Sequence, residues 1–423
     1  MSQRFQAGIT NRPPEHARWV ALNLTATDPA AVRAATEALR ALIERELRSN
    51  LDETTTESPK DAPSAETGEL GFEDGYDRYH LTITVGFAKA FYDKLGVPAE
   101  EQPQDLRPIP WDKLGDAPVK PDNGEIVLQL CSDSIYMIEH VQRHIESDLG
   151  DQFTIAWTVA GTQRYNSRPG RTSREEGRAL IGFKDGTSNL NPGKAPDDAH
   201  LVFVDPGKMD DYPPKVPAVG PGQPNPYGGP VPPSFPPDLA EPPTREPEWT
   251  KEGTYLVVRA STIDTTTWDR AALGEQEHAV GRFKVSGSGL DKIDDPRAEP
   301  QDPDLAADPT GATTPLASHV RKTNPRGGDE DQRRRLFRRG YPLIGAGLDG
   351  AQRGLVFAAF ARTITTQFEF ITRGWTINPD FPAPGTGVDA LRSFEPQVLC
   401  GGYFFVPPVQ YVTKPWSWVL PAA

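Results

Sequence analysis

The strongest constraint on the fold of this chain is how its apolar residues change period between Trp19 and Ala160. Residues 19–25 (Trp-Val-Ala-Leu-Asn-Leu-Thr) read as a strand. Asp28-Pro29 then caps a predicted helix from about Ala30 to Arg48, whose Val32, Ala35, Leu39, Leu42 and Ile43 recur at helical spacing. His80–Phe87 alternates as a strand, and Gly124–Leu130 is another. Ile135–Leu149 has helical spacing, and Thr154–Ala160 closes the set. The acidic, aperiodic stretch Asn50–Asp77 reads as a surface loop.

Strand-helix-strand followed by strand-helix-strand is the split βαβ order of a ferredoxin-like α+β domain. A second set follows later: a strand at Tyr255–Arg259, a helix over Trp268–Glu277, a strand over Gly354–Thr363, a helix over Thr366–Trp375 and a late strand at Gly402–Val406. The expected architecture is therefore two ferredoxin-like halves, antiparallel sheets with helices, in one compact unit. Residues 1–160 form the N-terminal half and 251–423 the C-terminal half, with 161–250 between them. Within that middle segment, Pro192–Pro247 is dense in proline and reads as a surface insertion without a core of its own.

Charge and cysteine usage narrow the function classes. A formal net charge of −14 argues against nucleic acid or an anionic membrane as the main partner. The basic run Arg333-Arg334-Arg335-Leu336-Phe337-Arg338-Arg339 is a local exception, suited to holding a small anionic ligand. Only two cysteines occur, Cys131 and Cys400, and no Cys-x-x-Cys or Cys-x-x-Cys-His attachment motif exists, so neither a disulfide framework nor a thioether-linked cofactor is expected. Cys131 ends an apolar run and reads as a core thiol. The first residues lack an apolar signal region and no stretch reaches membrane-span length, so the sequence as given reads as cytoplasmic.

Three segments carry chemistry. Gly182-Phe183-Lys184-Asp185-Gly186-Thr187-Ser188-Asn189 sets a short acid among glycines that permit close backbone approach to a planar ligand. Alone, such a segment is more often an ordinary Asp-Gly turn. Ser318-His319-Val320-Arg321-Lys322-Thr323-Asn324-Pro325-Arg326 follows a histidine with three basic residues, which suits a ligand bearing both a metal and carboxylates. A lone histidine, again, is more often structural. Leu336-Phe337-Arg338-Arg339-Gly340-Tyr341 presents guanidinium groups at the edge of an apolar segment.

In this order, the three segments closely resemble the dye-decolorizing peroxidase family, with its Gly-x-x-Asp-Gly, later His-x-Arg and following Arg. Trp249-x-x-Glu252-Gly253-Thr254-Tyr255, Gln276-Glu277-x-x-x-Gly281-Arg282-x-Lys284, Gly354-Leu355-Val356-Phe357 and Gln367-Phe368-Glu369 extend the match. The resemblance is strong from about Ala160 to Phe404 and thin before Gly68. It implies two ferredoxin-like halves enclosing one non-covalent haem b per chain, with His319 as the proximal iron ligand. It also implies Asp185 as the acid of the motif and Arg338, in preference to Arg339, as the distal arginine. Gly186, Thr187 and Ser188 would border the porphyrin. Asn324 and Arg326 would lie near its edge, and Arg321 would be a further propionate partner. The implied reaction uses hydrogen peroxide to oxidise phenolic, dye-like or other small aromatic donors in one-electron steps. A His ligand leaves the sixth iron position open for peroxide, an acid can move its proton, and Arg supplies fixed positive charge.

Other signals carry less. His140 and His144 have the i, i+4 spacing of a helical metal pair, but Val141 stands where a zincin has Glu, so a solvated helix face is the expectation. His278 lacks the following arginines. Trp157, Trp268, Trp375, Tyr165 and Tyr341 are expected to be packing residues rather than electron relays. A haem-handling protein that releases iron is the alternative from another class. It needs His319 but no proton shuttle. A ferredoxin-like protein binding an anionic metabolite without haem is a third.

Overall fold

The computed structural model describes residues 5–47, 80–163, 177–217, 223–229, 231–346, 352–395 and 397–409; the loop expected over Asn50–Asp77 lies outside them, as does Tyr165. β1 (His16–Leu24) leads through Asp28, whose side chain accepts from the Ala31 amide at 3.0 Å, into α1 (Pro29–Leu47). β2 (Thr82–Phe87) is followed by a short α2 (Lys89–Leu95) that the sequence pattern did not reveal. β3 (Ile126–Ser132), α3 (Ile135–Leu149) and β4 (Phe153–Thr162) complete an antiparallel sheet of order β2-β3-β1-β4.

The middle segment is more structured than its composition implied. It contains α4 (Pro196–Val202), whose Leu201 and Val202 are buried. Farther along, Tyr227 and Leu239 pack in a cluster with Phe370, Ile371, Trp375 and Phe381. Proline-rich chain here is fastened down by isolated aromatic and aliphatic anchors, which composition averages hide.

In the second half, β5 (Thr254–Thr262) lies between β9 (Val398–Val406) and β8 (Gln352–Ala361). The predicted single helix at Trp268 is two, α5 (Thr265–Arg270) and α6 (Leu273–Val280), broken at Ala271 and Ala272. α7 (His319–Thr323) is one turn long, and β6 (Phe337–Arg338) and β7 (Tyr341–Ala346) follow it. β6 and β7 lie along the same edge of β8 in one register that shifts only between Ile344 and Ala346, with Phe337 opposite Phe360 and Tyr341 opposite Val356. α8 (Ile364–Thr376) is wound as a wide π-helix.

The two sheets touch at both edges, at Phe87 with Phe405 and at Gly161 with Leu343, so the strands close into a ring. Alternate strand residues then serve two cores. Trp19, Val127, Val258, Phe337, Val356 and Phe404 pack together inside the ring, while Val20, Leu128, Val257 and Phe405 join the residues of α1 and α3 outside it. Among the described residues, no helix is long and apolar enough to cross a membrane.

Candidate functional site

A cavity of about 350 Å³ opens on the outer face of the second sheet. Its floor is β8, through Leu355 and Phe357, together with Arg259 of β5 and Arg338 of β6. Its walls are α5 to α8 and the loop 179–188. Trp268, Val280, Leu336, Phe368, Ile371 and Phe394 make most of the lining apolar.

His319 opens α7 and reaches this cavity, where its side chain is 38% accessible. Its Nδ1 bonds to Asp389 Oδ2 at 2.7 Å, and Nε2 has no hydrogen-bond partner among the described residues. Burial disfavours the charged imidazole, but the Asp389 carboxylate outweighs it and holds the pKa above the ordinary value. Asp389 is 3% exposed and spends its other oxygen on the Leu391 amide at 3.0 Å. Sequence reasoning did not single out Asp389, because it stands 70 residues from its partner.

Asp185, Gly186, Thr187 and Ser188 line the same cavity. Asp185 Oδ1 accepts from the Gly186 amide at 2.7 Å, and Gly186 itself has φ +77 with open space where a Cβ would stand. Asn189, the last residue of that segment, clamps β6: its Oδ1 accepts from the Arg338 amide at 3.0 Å, and its Nδ2 donates to the Arg338 carbonyl at 2.8 Å. The guanidinium of Arg338 donates to the Thr187 carbonyl at 2.8 Å. Burial lowers the Arg338 pKa, and the Asp185 charge acts against it.

Strand alternation separates the two arginines. Arg338 lines the cavity with Gly340, while Arg339 turns the other way with Phe337 and is 3% exposed. Arg339 donates to the Asn11 carbonyl and lies close enough to Cys131 for its charge to act on that thiol.

Asn324 and Arg326 also line the cavity. Arg326 pairs with Asp302 at 3.1 Å, and Arg282 and the Ser188 hydroxyl reach the same carboxylate. Burial works against ionisation of Asp302, yet Arg326, Ser188 and Arg282 bring its pKa down to about 2. With Arg335 donating to the Ser188 carbonyl at 2.9 Å, this rim gathers more guanidinium than carboxylate.

Arg321 corrects an expectation. It does not line the cavity, is 1% exposed and donates to Asp308 and the Thr314 carbonyl. Two residues along a helix turn a side chain by about 200°, so Arg321 faces away from His319. His278 is exposed on α6 and outside the cavity lining.

The donor set fits a haem. An imidazole whose Nδ1 is held by a carboxylate is the arrangement commonly found around a metal-ligating histidine. The walls are apolar, and a cationic rim suits carboxylates.

Comparison with known proteins agrees. The family model described as Dyp-type peroxidase, N-terminal matches residues 6–163, and Dyp-type peroxidase, C-terminal matches residues 239–411. A deferrochelatase of Yersinia pseudotuberculosis is 28% identical over 351 residues, 82% of this chain and 67% of that protein. One from Shigella flexneri is 27% identical over 409 residues, 95% and 82% of the two chains. Among solved structures, a DyP-type peroxidase of Streptomyces coelicolor superposes with TM-score 0.65 at 24% identity, covering 96% of this chain and 92% of the other. An oxyferrous/water complex of DtpA from Streptomyces lividans gives 0.67 at 23%, covering 97% and 96%. These structural likenesses speak for the fold, and the matched models, which span most of both halves, make the chain a member of the Dyp-type peroxidase family.

Proposed function

We propose that the chain is a haem peroxidase that uses hydrogen peroxide to oxidise phenolic, dye-like or other aromatic donors in one-electron steps, with one non-covalent haem b per chain. The observation that carries this reading is that a carboxylate-supported His319, Asp185 and Arg338 line a single cavity. When bound, the haem supplies an iron with a position open to peroxide and the capacity to store oxidising equivalents.

The chain's own residues do the rest. His319 would hold the iron through Nε2, with Asp389 keeping the ring proton on Nδ1. Asp185, on the cavity wall, would be the group that accepts a peroxide proton and gives it back. Arg338 places a fixed positive charge where negative charge develops, and its anchor on Thr187 spares it reorganisation. Arg326 and Asn324 are the proposed partners of the haem carboxylates.

A second reading comes from the relatives named deferrochelatase: the same site would hold haem for iron removal. A carrier has no use for a proton acceptor and a fixed cation beside the ligand, so the peroxidase reading is preferred.

The purified protein should show an intense Soret band that shifts on adding peroxide. His319→Ala should lose most of that band. Asp185→Asn should keep the band and lose most of the peroxide response. Metal-free porphyrin fluorescence appearing without donor oxidation would favour iron removal instead. Full haem occupancy with an unchanged spectrum in His319→Ala would remove the ligand assignment.

A further inference from the structure

His140 and His144 do not lie on a solvated helix face. They stand one turn apart on α3, with ring centroids 4.0 Å apart, and the face that carries them packs on α1. There Glu46, the penultimate residue of α1, brings a carboxylate that is 2% exposed. Glu46 Oε1 lies 2.8 Å from His144 Nδ1, and Oε2 lies 3.6 Å from His140 Nε2. The donor atoms of all three residues fall within 4.8 Å of one another. None of the three lines the cavity of His319.

A buried carboxylate is costly unless its charge is met. Arg45 donates from Nε to Glu46 Oε1 at 3.1 Å and also reaches Asp148 at 2.7 Å. A tetrahedral ion with ligand bonds of about 2.1 Å sets its donor atoms roughly 3.4 Å apart. The 2.8 Å from His144 Nδ1 to Glu46 Oε1 and the 3.6 Å from His140 Nε2 to Glu46 Oε2 lie on either side of that value, and one donor atom from each of the three residues lies within 4.8 Å of the others.

We propose that Glu46, His140 and His144 form a binding site for a divalent transition-metal ion of the zinc class, which ties the last turn of α1 to α3. Two imidazoles and one carboxylate favour such an ion over magnesium or calcium, whose ligands are oxygen. Three protein donors leave a fourth position for water. On binding, the ion takes the place of the proton on His144 Nδ1, and the neutral imidazole then carries its proton on Nε2.

The test is calorimetric titration of zinc sulfate into the tag-free, haem-loaded, chelator-treated protein, with zinc counted by mass spectrometry after dialysis. The expected result is one zinc per chain and a raised unfolding temperature in wild type. His140→Gln and His144→Gln should each bind at least ~100-fold more weakly, beyond what loss of a mere supporting partner costs. Should either fail to fold, by its circular dichroism and Soret band, Glu46→Gln decides in its place. No zinc retained by wild type, or the same affinity in wild type and variants, would overturn the site. So would equal binding of magnesium.

Discussion

Arg338 and Arg339 are chemically identical neighbours with opposite surroundings, which makes them a paired test at the scale of single residues. Arg338→Leu should retain haem and react with peroxide about 10²–10³-fold more slowly, the cost of a lost fixed charge of ~3 kcal/mol at the transition state. Arg339→Leu should react with peroxide at nearly the wild-type rate. It replaces a guanidinium whose Nε and Nη2 find no hydrogen-bond partner among the described residues. Stopped-flow absorbance at the Soret band separates the two, and the reverse ranking would place the working arginine one residue later. The spacing before Gly340 was visible in the sequence, but the facing of each arginine is set by the pairing of Arg338 with Ala359. Asp389 was not legible for a related reason. Its visible local role is to cap the turn at Ala390–Phe394, while its contact with His319 exists only in three dimensions. Asp389→Asn should release haem to an excess of a scavenging apoprotein ~10–100-fold faster, as loss of an outer partner of a metal ligand does. An unchanged release rate would make the contact incidental.

Among the elements, α8 shows what periodicity can and cannot reveal. Its apolar spacing predicted a helix over Thr366–Trp375, and a helix is present, but the π winding over Ile364–Thr376 has no local sequence signature. Asp105, from the other half of the chain, helps hold its first turn. Asp105 is 2% exposed and accepts from the Ile364 amide at 2.7 Å, the Thr365 amide at 2.9 Å and both threonine hydroxyls of Thr363 and Thr365. It also pairs with Arg107, which reaches Glu369 on the same helix at 2.9 Å. Because α8 supplies Phe368, Ile371 and Thr372 to the cavity, its start and the site are mechanically joined. Asp105→Ala should therefore cost on the order of 3 kcal/mol, as removal of one member of a buried charged network does, and should loosen haem. Urea unfolding measures the first effect; a loss below ~1 kcal/mol would mean that Arg107 and Glu369 hold the helix without it.

At the scale of the whole molecule, the two halves were legible because each strand and helix has its own period, whereas the closure of the ring was not. It depends on two contacts far apart in sequence, Phe87 with Phe405 and Gly161 with Leu343, and a Cβ at Gly161 would stand 2.5 Å from the Tyr341 Cβ. Glu246 adds a further tie between the halves. Its Oε1 accepts from the Tyr255 hydroxyl at 2.5 Å, its Oε2 accepts from the Gln104 amide at 3.1 Å, and the Tyr255 oxygen accepts from the Asp105 amide at 3.0 Å. Burial, acting against the Tyr255 and Gln104 hydrogen bonds, pushes the Glu246 pKa up to about 8 from 4.5. The sign follows from linkage: between those values the unfolded chain has released this proton and the folded chain keeps it. The stabilisation is complete below about pH 4.5 and is lost as pH rises to about 8. At ~1.4 kcal/mol per unit, the loss over that window is on the order of several kcal/mol. Glu246→Gln cannot titrate, so whatever its stability at pH 5, the difference from wild type should move in the variant's favour by at least ~2 kcal/mol at pH 8.5. Urea midpoints of both proteins at the two pH values measure this directly. A difference that stays constant would mean that the carboxyl is ionised throughout, held so by the Tyr255 hydroxyl and the Gln104 amide, and that the joint between the halves is indifferent to pH.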